Sequence, residues 1–163
     1  MPSNKIDQLT SVYALADAVI VIPNDRTDDG FWIASRPVRR LPRTAGDAEL
    51  GAAVRGSLAR ARTAVPTPGR DEYRERLKPV LAEAGMRSWA ALERRSKLCT
   101  VELSTTGLML VPTRNGGTSG ADRGFHDLPS AAVTLPWDAP DDVLGRETMR
   151  VLEQLSGLST NEG

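Results

Sequence analysis

The sequence predicts an α+β domain in which two related β-β-β-α halves share one antiparallel sheet, with helices packed on it. Three observations carry this. The segment Leu41–Leu58 recurs without a gap as Leu135–Leu152, and a repeated unit of this size marks a duplicated structural element. Runs of β-branched and alternating residues precede each copy. The connections between the early runs are too short for parallel crossovers and long enough for hairpins. A chain of 163 residues suits one compact domain, here residues 1–163, with both halves in a common core.

Each copy has the grammar of a strand ending at Leu-Pro, a short turn and a helix. Thr44 with Asp47, and Asp138 with Asp141, form a weak capping-box variant, a side-chain oxygen followed three residues later by an acid. Leu50, Val54, Leu58 and Ala61 then fall on one helical face, as do Leu144, Thr148, Val151, Leu152 and Leu155. Gly51 and Gly145 occupy one aligned position. Each costs about 1 kcal/mol of helix propensity relative to Ala, so their recurrence predicts that both helices pack closely there.

The remaining elements follow in order. Leu9–Ala16 and Ala18–Ile22 are strand candidates, the second closed by Pro23-Asn24-Asp25, and Gly30–Ser35 is a third. After the first repeat helix, Thr63-Ala64-Val65-Pro66-Thr67-Pro68-Gly69 is a surface connection. Tyr73, Leu77, Val80, Leu81 and Ala84 restore helical periodicity up to Gly85, a C-cap residue, with Pro79 predicting a kink or an early stop. Ser88 caps a short helix over Trp89–Arg95. Lys97–Ser104 and Leu108–Val111, turning at Gly107, form a hairpin. The stretch from Asn115 to Gly124 has the composition of a mobile loop, and Ala131–Leu135 is the last strand.

Composition narrows the chemistry. A single cysteine, Cys99, excludes an internal disulfide and a cysteine metal cluster, and its alternating surroundings predict a buried strand position. His126 is the one histidine, so no imidazole pair exists, and Asp127 beside it on a strand points the other way. The glycine-rich loop lacks the Lys of a phosphate-binding loop and the spacing of a nucleophile elbow. No cofactor is expected. No apolar run approaches the length of a membrane span, and no signal peptide opens the chain, which predicts a cytoplasmic protein. Lys plus Arg balance Asp plus Glu at 21 each, yet residues 36–97 hold fifteen of the cations against seven acids, leaving both ends acidic.

The Leu-Pro…Asp…Leu-Gly unit, preceded by Trp32-Ile33-Ala34-Ser35-Arg36-Pro37 and joined by Ala84-Gly85-Met86-Arg87-Ser88-Trp89, resembles the immunity proteins of contact-dependent growth inhibition systems. The resemblance runs from about Val19 to Leu155. It implies a cytoplasmic, non-enzymatic protein that binds the cognate toxin domain of an effector, most often a nuclease, and occludes its active site. Nuclease surfaces are basic because they meet phosphates, so the complementary surface is expected to be acidic. The candidates are Asp25, Asp28 and Asp29 in one cluster and Asp138, Asp141 and Asp142 in the other. Two alternatives remain. One is a small nucleic-acid-binding module using Arg36, Arg39, Arg40 and Arg43 with Phe31 and Trp32; the other is a small hydrolase, for which too few catalytic residues assemble.

Overall fold

The computed structural model describes residues 5–158, the last four by backbone only. Leu155, expected on the inner face of the last helix, therefore has its side chain outside the described residues. The first half contributes β1 (Ile6–Ala14), β2 (Ala18–Arg26), β3 (Trp32–Ala34), β4 (Arg39–Pro42) and α1 (Asp47–Arg60). A helical middle follows, α2 (Arg70–Ala84) and α3 (Trp89–Arg95). The second half is β5 (Lys97–Ser104), β6 (Gly107–Asn115), β7 (Phe125–Asp127), β8 (Val133–Leu135) and α4 (Asp141–Leu158), with a 3-10 turn at Pro129–Ala131.

All eight strands join one antiparallel sheet in the order β3-β2-β1-β5-β6-β7, with β4 beyond β3 on β2 and β8 beyond β7 on β6. Each half thus has four strands, not three. The short edge strands β4 and β7 escape periodicity because three or four residues are too few to show it. The registers obey a local two-fold between β1 and β5. Ala14 pairs with Val19 and Val19 with Leu41, just as Leu103 pairs with Leu108 and Leu108 with Leu135. Across the middle, Ala14 meets Lys97 while Gln8 meets Leu103.

The helices cover both faces. On one, α1 and α4 bury Leu50, Val54, Leu58, Leu144, Val151 and Leu152 against Val12, Val21, Cys99, Val101 and Leu110. On the other, Val80, Ala84 and Leu92 from α2 and α3 meet Tyr13, Ile20, Ile22 and Leu98. Burial of each large aliphatic side chain contributes about 1.5–3 kcal/mol. The Cys99 thiol, fully enclosed, is pushed up to about 12 by burial and is inert.

Several boundaries shift for identifiable reasons. Strand β2 continues through Pro23, whose carbonyl accepts from Ser35 N at 2.8 Å; proline withholds only a donor, so it does not close the strand. Helices α1 and α4 begin at Asp47 and Asp141, so Thr44 and Asp138 are not their caps. Gly46 takes the N-cap of α1 without a side-chain bond, and Asp47, Glu49, Asp141 and Asp142 instead complement the helix dipoles from the first turns. Ala61 falls one residue past α1, at its C-cap. Pro79 lies within an unbroken α2. Gly85 ends α2 at φ 68°, and Ser88 Oγ accepts from Ala91 N at 3.1 Å to cap α3. The glycine-rich loop is closed by Gly116 N to Gly124 O and Gly124 N to Gly117 O, both 2.8 Å.

The paired glycines sit where α1 crosses α4. A Cβ on Gly51 would stand 1.7 Å from Asp141 O, and one on Gly145 would stand 1.8 Å from Asp47 O. Each repeat copy receives the first-turn carbonyl of the other, and no flexible side chain is there to yield. Gly51→Ala and Gly145→Ala are each expected to cost about 2–3 kcal/mol by overpacking, a fall in Tm of roughly 5–10 °C. Gly56→Ala, on the same helix with nothing within 4 Å, is expected to gain about 0.5–1 kcal/mol. Thermal melting of the three variants compares these outcomes.

Candidate functional site

Strand register assigns both acidic clusters to one end of the sheet, where Leu9 pairs with Asn24 and Ser104 with Gly107. In the first cluster Asp25 is on β2 and Asp28 and Asp29 lead to the edge strand β3; the second cluster follows β8 on the opposite edge. Five strand spacings of about 4.8 Å put the two edges roughly 24 Å apart.

In the first cluster the three aspartates do different things. Asp25 is 0% exposed. Its Oδ1 accepts from Arg62 N at 3.0 Å, and its Oδ2 from Arg62 Nη2 at 2.9 Å and Arg76 Nη1 at 3.3 Å. Grouping Asp25 with the surface acids is therefore corrected by its burial: two arginines brought in by tertiary packing hold it inside. Burial alone would raise its pKa; the hydrogen bonds from the Arg62 side chain and backbone and from Ser35, with the Arg62 charge, overturn that and hold the carboxyl below its ordinary range. Asp28 and Asp29 are exposed, sharing the Thr67 hydroxyl at 2.9 and 2.6 Å. Backbone bonds Asp28 N to Val65 O (2.9 Å) and Arg26 N to Arg62 O (2.8 Å) strap the loop to the segment after α1. Phe31, expected within a strand, instead stands before β3 with 65% of its surface exposed.

In the second cluster Asp141 is half-buried and accepts from Arg55 Nε at 2.9 Å. The same guanidinium donates to Trp137 O at 3.0 Å and to Ala139 O, so one arginine of α1 ties the entry of α4. Asp138 and Asp142 are exposed, and Trp137 between them and the sheet is 67% exposed. The result is a sheet end with four open carboxylates, Asp28, Asp29, Asp138 and Asp142, and an exposed aromatic ring at each edge. Sequence patterning missed Trp137 and considered Phe31 only for nucleic acid, because a lone aromatic beside a strand run ordinarily signals core.

The other functional candidates resolve as follows. His126 Nε2 lies 2.7 Å from Asp122 O, a loop contact. The arginines proposed for nucleic acid are dispersed: Arg40 binds Glu83 O and Asp17, Arg43 donates to Leu15 O, and Arg36 and Arg39 are exposed. Glu102 is pushed up by burial and by the nearby Asp127. Among the described residues no group of His, Cys, Asp and Glu is arranged to hold a metal ion, and no helix is long and apolar enough to cross a membrane.

An eight-stranded antiparallel sheet with helices on both faces, built from two related halves, defines the class as a duplicated α+β fold. The particular family follows from sequence: the profile of the CDI immunity proteins matches residues 38–154, and the chain belongs to that family. Comparison with curated protein sequences gives no match. Among solved structures, a Neisseria meningitidis protein of unknown function superposes with a TM-score of 0.73 at 18% identity, covering 94% of this chain and 99% of that one. A chain of the CdiA-CT/CdiI toxin and immunity complex from Yersinia pseudotuberculosis superposes with a TM-score of 0.70 at 18% identity, covering 91% and 96%. At these identities the likeness is one of fold.

The Asp25 cluster gives a pH dependence with a definite sign. Its folded pKa is depressed, so its stabilisation is present above the unfolded value, about 3.8, and is lost as pH falls through the lower folded value. Asp25→Asn is expected to cost about 2–3 kcal/mol at neutral pH. Its Tm is also expected to fall less steeply than the parent's between roughly pH 5 and pH 3, measured by thermal denaturation across that range.

Proposed function

We propose that this chain is a non-catalytic immunity protein acting in the cytoplasm. It binds the C-terminal toxin domain of a contact-dependent growth inhibition effector, a nuclease, and occludes its active site through the acidic end of the sheet. Family membership over residues 38–154 is the observation that carries the toxin partner. The acidic rim supports the nuclease reading: a basic, phosphate-binding surface meets Asp28, Asp29, Asp138 and Asp142 with complementary charge. Phe31 and Trp137 fit the role of anchors, large apolar rings exposed before association and buried after it. Their separation of roughly 24 Å fits within an interface burying about 800 Å² on each partner. Asp25 and Asp141 act from beneath, holding the two loops through Arg62, Arg76 and Arg55.

Trp137→Ala and Phe31→Ala are each expected to weaken binding of the toxin domain by about 2 kcal/mol, roughly thirtyfold. Asp28→Lys with Asp29→Lys is expected to slow association by about tenfold, with the effect shrinking as salt rises. Surface plasmon resonance against the C-terminal domain of the cognate effector gives both numbers, and parental melting temperatures exclude misfolding. Affinities equal to the parent's in all three variants would remove this end of the sheet as the contact surface.

A further inference from the structure

The opposite end of the sheet, where Ala14 pairs with Lys97, carries a cleft of about 520 Å³. Its lining includes Arg43, Arg94, Arg95, Lys97 and Arg114 and no carboxylate. Its floor is apolar, with Leu15, Leu98 and the half-buried ring of Phe125, which stacks edge-on against Tyr13 at 5.9 Å.

The side chains of Arg94, Arg95 and Arg114 make no hydrogen bond or ion pair among the described residues. The carbonyls at the end of α3 are already used: Asn115 Nδ2 donates to Glu93 O at 2.6 Å and Ser96 O at 3.5 Å, and Ser96 Oγ donates to Leu92 O at 2.6 Å. Like charges gathered around a concave apolar floor focus positive potential into the cleft. An anion is the ligand that relieves it.

We propose that this cleft binds the phosphate groups of a nucleotide, free or at the end of an RNA strand, independently of how the acidic end meets a toxin. Guanidinium forks match phosphate oxygens in pairs, and an apolar floor with an aromatic edge suits a planar base. The volume is that of a small-ligand site, which ordinarily spans about 300–1,000 Å³. An acidic peptide fits less well, since matching this many cations takes several Asp or Glu side chains in a space that holds one or two. Successive phosphates supply the charge in less volume.

The test is titration calorimetry at low ionic strength with ATP and, separately, with a short 5′-phosphorylated oligouridylate and with polyglutamate. The variants are Arg94→Glu with Arg114→Glu, and Arg146→Glu on α4 as a surface control. Binding that the double variant weakens by about tenfold or more, and the control leaves within twofold, supports the proposal. ATP binding assigns the free nucleotide; binding of the oligouridylate alone assigns the strand end. If the double charge reversal lowers the melting temperature, Arg94→Gln with Arg114→Gln replaces it. No binding of either probe, equal binding by parent and double variant, or binding of polyglutamate alone would overturn it.

Discussion

The close crossing of α1 and α4 is the constraint on which the rest of this fold depends. Backbone meets backbone at Gly51 against Asp141 and at Gly145 against Asp47, an approach no other residue permits. It brings the two helices onto one face of the sheet with their first turns in contact, and Leu50, Val54 and Leu144 then close the core beside them. One turn beyond Gly51, Arg55 arrives beside Asp141 and reaches the carbonyls of Trp137 and Ala139. The glycine contact and the placing of Trp137 at the rim are thus one arrangement. A wider crossing would leave the guanidinium short of its acceptors.

The local two-fold relates the halves in backbone and separates them in charge. By strand register, Asp25 on β2 and Arg114 on β6 hold equivalent places: each follows the residue that pairs with the third position of the neighbouring short strand, Asn24 with Ala34 and Thr113 with Asp127. Because the two-fold exchanges the ends of the sheet, the β2–β3 connection lies at one end and the β6–β7 connection at the other. The first carries Asp28 and Asp29; the second borders the arginine-lined cleft. Repetition supplied the scaffold, and side-chain divergence gave the two connections different surroundings.

What could be read from the sequence follows from the range of each interaction. The repeat, the β5–β6 hairpin, the Gly85 terminus and the Ser88 cap depend on neighbours within a few residues, and all are present. The family resemblance rests on such local signatures and holds over most of the chain. Thr44 failed as a cap because α1 begins only at Asp47, which leaves Gly46 at the N-cap and Thr44 two residues before it. Asp25 was unreadable as a buried group, since its partners Arg62 and Arg76 stand 37 and 51 residues away. The cleft was equally hidden: Arg43, Arg94 and Arg114 come from three separate segments that only the sheet brings together.

A formal net charge of zero consequently says little about how this molecule meets others. The nine residues of β2 span roughly 30 Å at about 3.3 Å each, several times the Debye length of about 8 Å at physiological salt. Charged groups at the two ends therefore do not cancel one another in solution. The carboxylates of Asp28 and Asp138 and the guanidinium groups of Arg94 and Arg114 are thus far enough apart to act separately. Composition averages the two away, and it is the antiparallel sheet, by carrying equivalent connections to opposite ends, that keeps them apart.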